Sequence, residues 1–562
     1  MKKNLFLSGL TLAIVLQVNV LFSQNPDWLW AKNANDISQD YSYSVATDAS
    51  GNVIITGEFY GSPISFGDFD LTNVAYADIF ITKYSSAGIV QWAVSAGGML
   101  YESGTGIATD ADGNIYVTGS FNSPTVTFGS TVINNSNTGY DTYDGFLAKY
   151  NSTGNLQWVF SAGGANDDFA KSIAVDDEGN VFVTGSFNSS SLTIGEIVLN
   201  NIDPTGETED IFIVKVNSSG DVVWANKEGG TDKDFGTAIA CDREGNSFVT
   251  GYFNSSAIAF GTFPVVNSGN WDLFLAKYDP DGNVLWARGA VGSYVDRGTG
   301  ITTDTSGNVC ITGAFYSASL TFGTIVIQNG GGSVNGNIFI AKYNGSGTPL
   351  WASNVGWVGE VQNVYYSSIC SDEANELYVT GWFASETMTI GSTVLTNTGA
   401  SDIFVAKYSP SGTVEWAKQV SGDGGDYSKG IATSLPGNVF VTGYFDGDAL
   451  DFDGITLTNS GYIDLFVADI ETTMPNGIID NSVDGKLFNC FPNPAKESFT
   501  LILSDKVNNA IVNIYDLQGR RLLYKELISE KNTIDLDMLA EGVYFVSVRN
   551  NDKTSTVKLI KE

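Results

Sequence analysis

The chain has 562 residues, 43% of them hydrophobic and 12% aromatic, with 63 glycines, more than one single-core domain of ordinary size holds. With 62 acidic against 28 basic residues the formal net charge is −34, which disfavours nucleic acid and anionic membrane as partners and attracts cations. There is no histidine, which excludes Ser-His-Asp and Cys-His catalysis and His-ligated zinc or haem.

In chain order, MKKNLFLSGLTLAIVLQVNVLFSQ carries two lysines, an apolar stretch from Leu5 to Phe22 and a small residue at Ser23. Residues 1–23 read as a secretory signal peptide cleaved near Ser23–Gln24. No later run is apolar and long enough to span a bilayer. The mature chain then opens on WLWAK (28–32), a strand with no partner beside it in sequence.

From there one unit recurs. Trp30, Trp92, Trp158, Trp224, Trp286, Trp351 and Trp416 stand 62 to 66 residues apart, and between them the same phrases return in order. SIAVDDEGN (172–180) is followed by NVFVTGSF (180–187), then a phrase such as DIFVAKY (402–408), then the Trp segment. Each phrase is short, alternating and rich in Val, Ile, Phe and Tyr, and the joints are Gly-Asn and Ser-Gly turns, so each unit is a four-stranded antiparallel meander. The seventh unit ends at DLFVADI (464–470) without turn or Trp. WLWAK supplies the missing strand if the units close into a ring, and ring closure leaves no long exposed sheet edge. The fold class expected is all-β: a seven-bladed β-propeller over 24–472 closed by its N-terminal strand.

These repeats resemble the seven-bladed β-propeller (SBBP) repeat family, whose units read similarly as IAVD-GN-VYVTG, then DAFVAK, then a Trp strand and Gly-Gly. The resemblance implies fold and little about activity, because propellers host many functions.

After a linker at 473–485, residues 486–562 form a second, small β domain expected to be an Ig-like sandwich. Pro492-Asn493-Pro494-Ala495, IYDLQGR, Leu536, Leu539, Gly542, Tyr544 and a Lys-bearing end resemble the type A C-terminal sorting domain of the type IX secretion system of Bacteroidetes. That implies the secretion machinery as partner and passage through the periplasm to the outer surface or medium. It also implies removal of the domain, with the propeller released or attached to surface lipopolysaccharide. The alternative is an Ig-like domain that stays attached and binds something itself.

Positions shared by the units carry the scaffold, and departures from them are candidates for function. Asp48, Asp110, Asp176, Asp242, Asp304 and Asp372 recur at the end of the first strand, and Lys83, Lys149, Lys215, Lys277, Lys342 and Lys407 in the third. The seventh unit has Ser434 and Asp469 at these places, and this joint loss predicts an Asp–Lys pair within each unit. Asp40, Glu102, Asp168, Asp234, Asp296 and Asp426 precede the first strand near the expected channel mouth. They are candidate Ca²⁺ ligands around the axis, or caps that each accept hydrogen bonds within their own loop. Apart from Ca²⁺ no cofactor is expected. The sixth unit departs furthest, and Trp357, Tyr365, Tyr366 and Trp382 are candidates for an aromatic platform. Trp271 with Tyr252 in the fourth unit forms a second one. Such rings hold a sugar or a peptide, or pack under their own loops.

Ala148, Gly154 and Trp158 match the spacing of a quinoprotein docking motif, but Tyr150 stands where that motif has Asp. The four-residue gap from Gly to Trp also departs from a sialidase Asp-box. The four cysteines are expected as free thiols on strands. The function expected is therefore that of a monomeric, non-catalytic binding or scaffold protein for a polysaccharide or a surface protein. Alternatives are a purely structural surface component and a carboxylate-based enzyme.

Overall fold

The computed structural model describes residues 26–471 and 488–561, apart from 35–36, 62, 138, 140–141, 331–335, 358–366, 435–436, 492–494, 504–509, 517–520, 528, 537, 541 and 551–552. The signal-peptide reading at 1–23, the linker and the Pro492-Asn493-Pro494 motif lie outside these residues.

The described chain is all-β with antiparallel sheets. In the first unit, strands Asp40–Thr47, Val53–Phe59, Asp78–Tyr84 and Val90–Gly97 hydrogen-bond in chain order, and the order recurs through the later units. The last sheet breaks it. There Asp426–Thr433, Asn438–Phe445 and Asp464–Glu471 are completed by Trp28–Asn33, which pairs antiparallel to Asp464–Glu471, with Trp30 opposite Asp469 and Ala31 opposite Ala468. Neighbouring first strands are joined by side chains. Thr109 Oγ1 donates to Thr47 O at 2.7 Å, and Thr47 Oγ1 in turn donates to Thr433 O at 2.6 Å, tying the first unit to the last.

The recurring residues have mechanical reasons. Six of the seven repeat tryptophans donate the indole N–H to a carbonyl in the next unit's hairpin: Trp30 to Ser86, Trp92 to Ser152, Trp158 to Ser218, Trp224 to Pro280, Trp286 to Gly345 and Trp351 to Pro410. The hairpin glycine lies flat on that indole. Gly347 has φ +77°, and a Cβ there would stand 2.7 Å from the Trp286 ring, so backbone conformation and close approach both select glycine. The glycine of the Thr-Gly pair has a different reason: a Cβ on Gly57 would collide with Tyr41 O, while Thr56 Oγ1 donates to Phe80 O at 2.8 Å.

The expected Asp–Lys pair forms at Asp48–Lys83 (2.8 Å), Asp242–Lys277 (3.3 Å) and Asp304–Lys342 (2.8 Å). Lys83, Lys149, Lys215 and Lys342 also donate to a hairpin carbonyl of the next unit, so the lysine works between units as much as within one. In the seventh unit Asn438 Nδ2 donates to the buried Asp469 at 2.8 Å instead.

The insertions between second and third strands are hairpins that fold outward. Thr125–Phe128 pairs with the preceding unit's outer strand Val90–Gly97, and Ser191–Ile194 with Leu156–Gly163. Their alternate residues, Val126 and Phe128 or Leu192 and Ile194, are buried between sheets. The arms therefore serve as staples between units. Burying these apolar side chains contributes about 1.5–3 kcal/mol each.

The C-terminal residues form two further sheets. One holds Phe488–Phe491, Ser498–Leu503 and Lys531–Asp535, the other Ala510–Tyr515, Arg521–Leu527, Gly542–Asn550 and Lys553–Lys561. They share a core of Phe488, Phe499, Leu501, Val512, Ile534, Leu536, Tyr544 and Val546. The Tyr544 hydroxyl donates to Ala540 O at 2.6 Å, and Gly542 begins the strand that carries it. All four cysteines are free thiols, with Cys310 fully buried and Cys241 and Cys370 half-buried.

Candidate functional site

The six candidate acids head the first strands of six different sheets, at the end where the second strands finish and the third begin. All are buried. Asp168, Asp234 and Asp296 accept from the serine that follows the second strand: Ser189 Oγ and Ser255 Oγ at 2.8 Å, and Ser317 Oγ at 2.6 Å. Glu102 and Asp234 also accept Gly98 N–H and Gly230 N–H, each at 2.7 Å. These groups cap their own loops, which releases the chain from one unit into the next with its backbone donors satisfied. Among the described residues no three acidic or thiol side chains converge on one point.

The acids carry a charge problem, since a second buried acid heads each neighbouring third strand, such as Asp78, Asp144, Asp210 and Asp272. Burial, opposed by the loop donors and reinforced by Asp144, pushes Asp168 up to about 8. Burial likewise pushes Glu102, Asp234 and Asp296 to about 7. Their native pKa values exceed the unfolded values of roughly 4, so the folded state holds extra protons between about pH 4 and pH 8. That contribution is complete below the unfolded pKa and lost as pH rises through the native one. Calorimetry in chelator should therefore show a higher melting temperature at pH 6 than at pH 8.5; a flat profile would mean these carboxyls are ionised throughout.

Directly after each acid the repeat becomes variable. The residue following it pairs across to the second strand, giving Tyr41–Glu58, Ser103–Ser120, Phe169–Ser186, Phe235–Tyr252, Arg297–Ala314 and Tyr427–Tyr444. Trp382 occupies the second-strand place in the sixth unit, on the strand Leu377–Phe383. These positions stand at one end of the inner two strands of each sheet, and several hold aromatic rings.

The rings touch from unit to unit. Trp382 meets Tyr427 edge-on at 5.2 Å, Tyr427 meets Tyr444 at 5.1 Å, and Tyr444 meets Tyr41 at 4.8 Å. Tyr41 continues to Tyr60 at 6.1 Å, and Tyr60 to Tyr101 at 6.3 Å. Within this belt the Tyr43 hydroxyl donates to Glu58 Oε1 at 2.9 Å, and burial raises Glu58 above the usual carboxylate range. A second patch joins Phe235, Tyr252 and Trp271, with the Arg297 guanidinium 4.9 Å over Tyr252. Tyr76 and Tyr101 are exposed, and Tyr41, Tyr427 and Tyr444 half-buried, whereas Trp382 is 8% exposed and mostly covered.

The structure thus brings Tyr252 and Trp271 together and places Trp382 at one end of the tyrosine belt. Tyr365, Tyr366 and the Trp357 side chain lie outside the described residues. Tyr41, Tyr427, Tyr444 and Phe235 were missed from sequence, although aligning the units on the residue after the acid exposes them as the variable column of an otherwise repeated scaffold.

Residues 97–124 and 157–192 match the Beta-propeller repeat family, and residues 489–562 match the Secretion system C-terminal sorting domain. The chain is 25% identical over 433 residues to an uncharacterized WD repeat-containing protein of Acanthamoeba polyphaga mimivirus, covering 62% of this chain and 30% of that protein. It is 27% identical over 410 residues to the regulatory protein FlaEY of Caulobacter vibrioides, covering 68% of this chain and 42% of that one. The chain therefore spans less than half the length of either relative. Among solved structures it is similar to Sqt1 of Chaetomium thermophilum (TM-score 0.34, 8% identity, 80% of this chain and 100% of that one). It is also similar to PorZ, a surface component of the type IX secretion system of Porphyromonas gingivalis (TM-score 0.17, 11% identity, 95% and 100%). TM-scores this low carry no argument about role. The chain carries β-propeller repeats of the SBBP family and ends in a type IX secretion sorting domain that directs it to the cell surface or the medium.

Proposed function

We propose that the protein is an exported, non-catalytic binding protein, a seven-bladed β-propeller whose channel mouth takes a polysaccharide. The sorting domain, an Ig-like sandwich, delivers it to the surface. The belt of rings from Trp382 through Tyr427, Tyr444, Tyr41 and Tyr60 to Tyr101 supports this reading most strongly. Tyrosine faces and edges stack on the C–H faces of sugar rings while their hydroxyls hydrogen-bond to sugar hydroxyls. A belt crossing several units suits an extended ligand, because each sugar occupies its own ring. The half-buried Glu58 adds an acceptor within reach of the tyrosine hydroxyls.

Binding of the purified exported protein to a panel of neutral and cationic polysaccharides tests this. Tyr427→Ala and Tyr444→Ala should each weaken binding about five- to tenfold, as loss of a stacking ring worth roughly 1–1.5 kcal/mol does. Val198→Ala, on an outer arm, should leave it unchanged. Absence of binding across the panel, or equal binding by all variants, would instead favour a structural component of the surface.

A further inference from the structure

The six capping acids are not alike. Both oxygens of Asp168, Asp234 and Asp296 are satisfied, whereas Asp426, 0% exposed, has no side-chain donor and no well-formed hydrogen bond to either oxygen, with the Gly422 N–H alongside. The cause is a substitution inside the repeat. Ser123, Ser189, Ser255, Ser317 and Ser385 follow the second strand in five units; the first and the seventh have Gly61 and Gly447 there, so the hydroxyl donor is gone in both.

Two further changes in the same unit worsen the charge. Asp446 stands where sister units have Asn122, Asn188 and Asn254. Asp423 stands where they have Met99, Ala165, Thr231 and Ser293. The two acids interlock with the opposite loops: a Cβ on Gly447 would collide with Asp423 Oδ1, and one on Gly424 with Asp446 Oδ1. Asp446 Oδ1 accepts Gly425 N–H at 2.5 Å, which holds it over the SGDGGD loop. Burial, with Asp402, Asp446 and Asp423 alongside, pushes Asp426 up to about 8. A scaffold that removes the side-chain donor of a buried carboxyl and adds two exposed carboxylates beside it leaves Asp426 either protonated or, once ionised, in need of a cation.

We propose that the seventh unit binds a divalent, oxygen-seeking cation of the Ca²⁺ class at Asp426, with Asp423 and Asp446 completing the charge. The three carboxylates stand around one loop pair without converging on a point. Direct ligation therefore falls to Asp426 and one neighbour, and the other positions to backbone carbonyls of the glycine-rich loop and to water, as a six- to eight-coordinate cation permits. The site lies off the axis, in one unit, beside Tyr427 and Tyr444 of the aromatic belt. It does not depend on the polysaccharide reading.

The test uses the full exported chain, calcium chloride and EDTA. In calcium the wild type should show saturable heat of binding and melt at least about 2 °C higher than in EDTA, while magnesium does less. The variant D423A/D446N restores residues found in sister units. It should melt in EDTA no lower than wild type, because like charges are removed, and should show no calcium shift. If the double variant misfolds, D446N alone should cut calcium affinity about tenfold or more. No heat of binding at millimolar calcium, or the same calcium shift in wild type and variant, would overturn the proposal. In that event Asp426 is simply protonated.

Discussion

A chain lacking residues 24–34 is expected to lose cooperative folding of its repeat region, or to melt far below the intact protein. Trp28, Leu29, Trp30 and Ala31 are all buried, and Ala34 behind them is 1% exposed. Three large apolar side chains at about 1.5–3 kcal/mol each come to roughly 5–9 kcal/mol, comparable with the whole stability of an ordinary domain. The same deletion frees the edge of the strand Asp464–Glu471 and removes two couplings to the first unit. These are the Trp30 indole bond to Ser86 O at 3.0 Å and the roof that Gly88 makes over the Trp30 ring. Trp28 meanwhile packs edge-on against Phe452 at 5.0 Å and so ties in the last unit's arm. Thermal melts of the two chains decide it. An unchanged melting temperature would mean that the strand is an ornament on a structure already closed without it.

Removal of residues 486–562 should have an equally large effect on location and little on folding of the repeats. The tail has its own core of Phe488, Phe499, Leu501, Val512, Ile534 and Val546, so its loss exposes little of the repeat core. Its described contacts with the repeats are polar and few. Arg521 Nη2 donates to Trp28 O at 2.7 Å, and the Tyr515 hydroxyl donates to Glu471 Oε2 at 3.4 Å. Because the tail is a type IX sorting domain, the truncated protein should be folded, trapped inside the cell envelope and absent from surface and medium. Fractionation with a folding-sensitive readout would show this, and normal appearance outside the cell would refute the address.

Much of the scaffold was legible because repetition makes the chain its own alignment. The Trp, the hairpin glycine and the Thr-Gly pair recur because each meets the same neighbour in every unit. The missing strand after DLFVADI pointed straight at WLWAK, and Trp28–Asn33 does pair with Asp464–Glu471. Less legible was what each repeated residue touches. The lysines were assigned to a partner in their own unit, yet four also reach the next unit's hairpin, a contact that sequence spacing cannot distinguish. What the arms touch is equally illegible, because their alternation is the same whether it faces solvent or a neighbouring sheet. At the candidate site, the most deviant unit and its tryptophans stand out in the sequence. The continuous belt arises instead from a moderately variable column, Tyr41, Tyr427 and Tyr444, whose rings meet only once neighbouring units stand side by side.

The belt is continuous only if the last unit stands beside the first, so closure by the N-terminal strand is the claim on which the rest depends. Native-state hydrogen exchange of the intact exported protein measures it without mutation. The amides of Trp28–Asn33 should exchange as slowly as those of Asp464–Glu471 and open together with them at the global unfolding rate. Exchange of the N-terminal strand at the rate of a free peptide, with Asp464–Glu471 still protected, would contradict the closed ring.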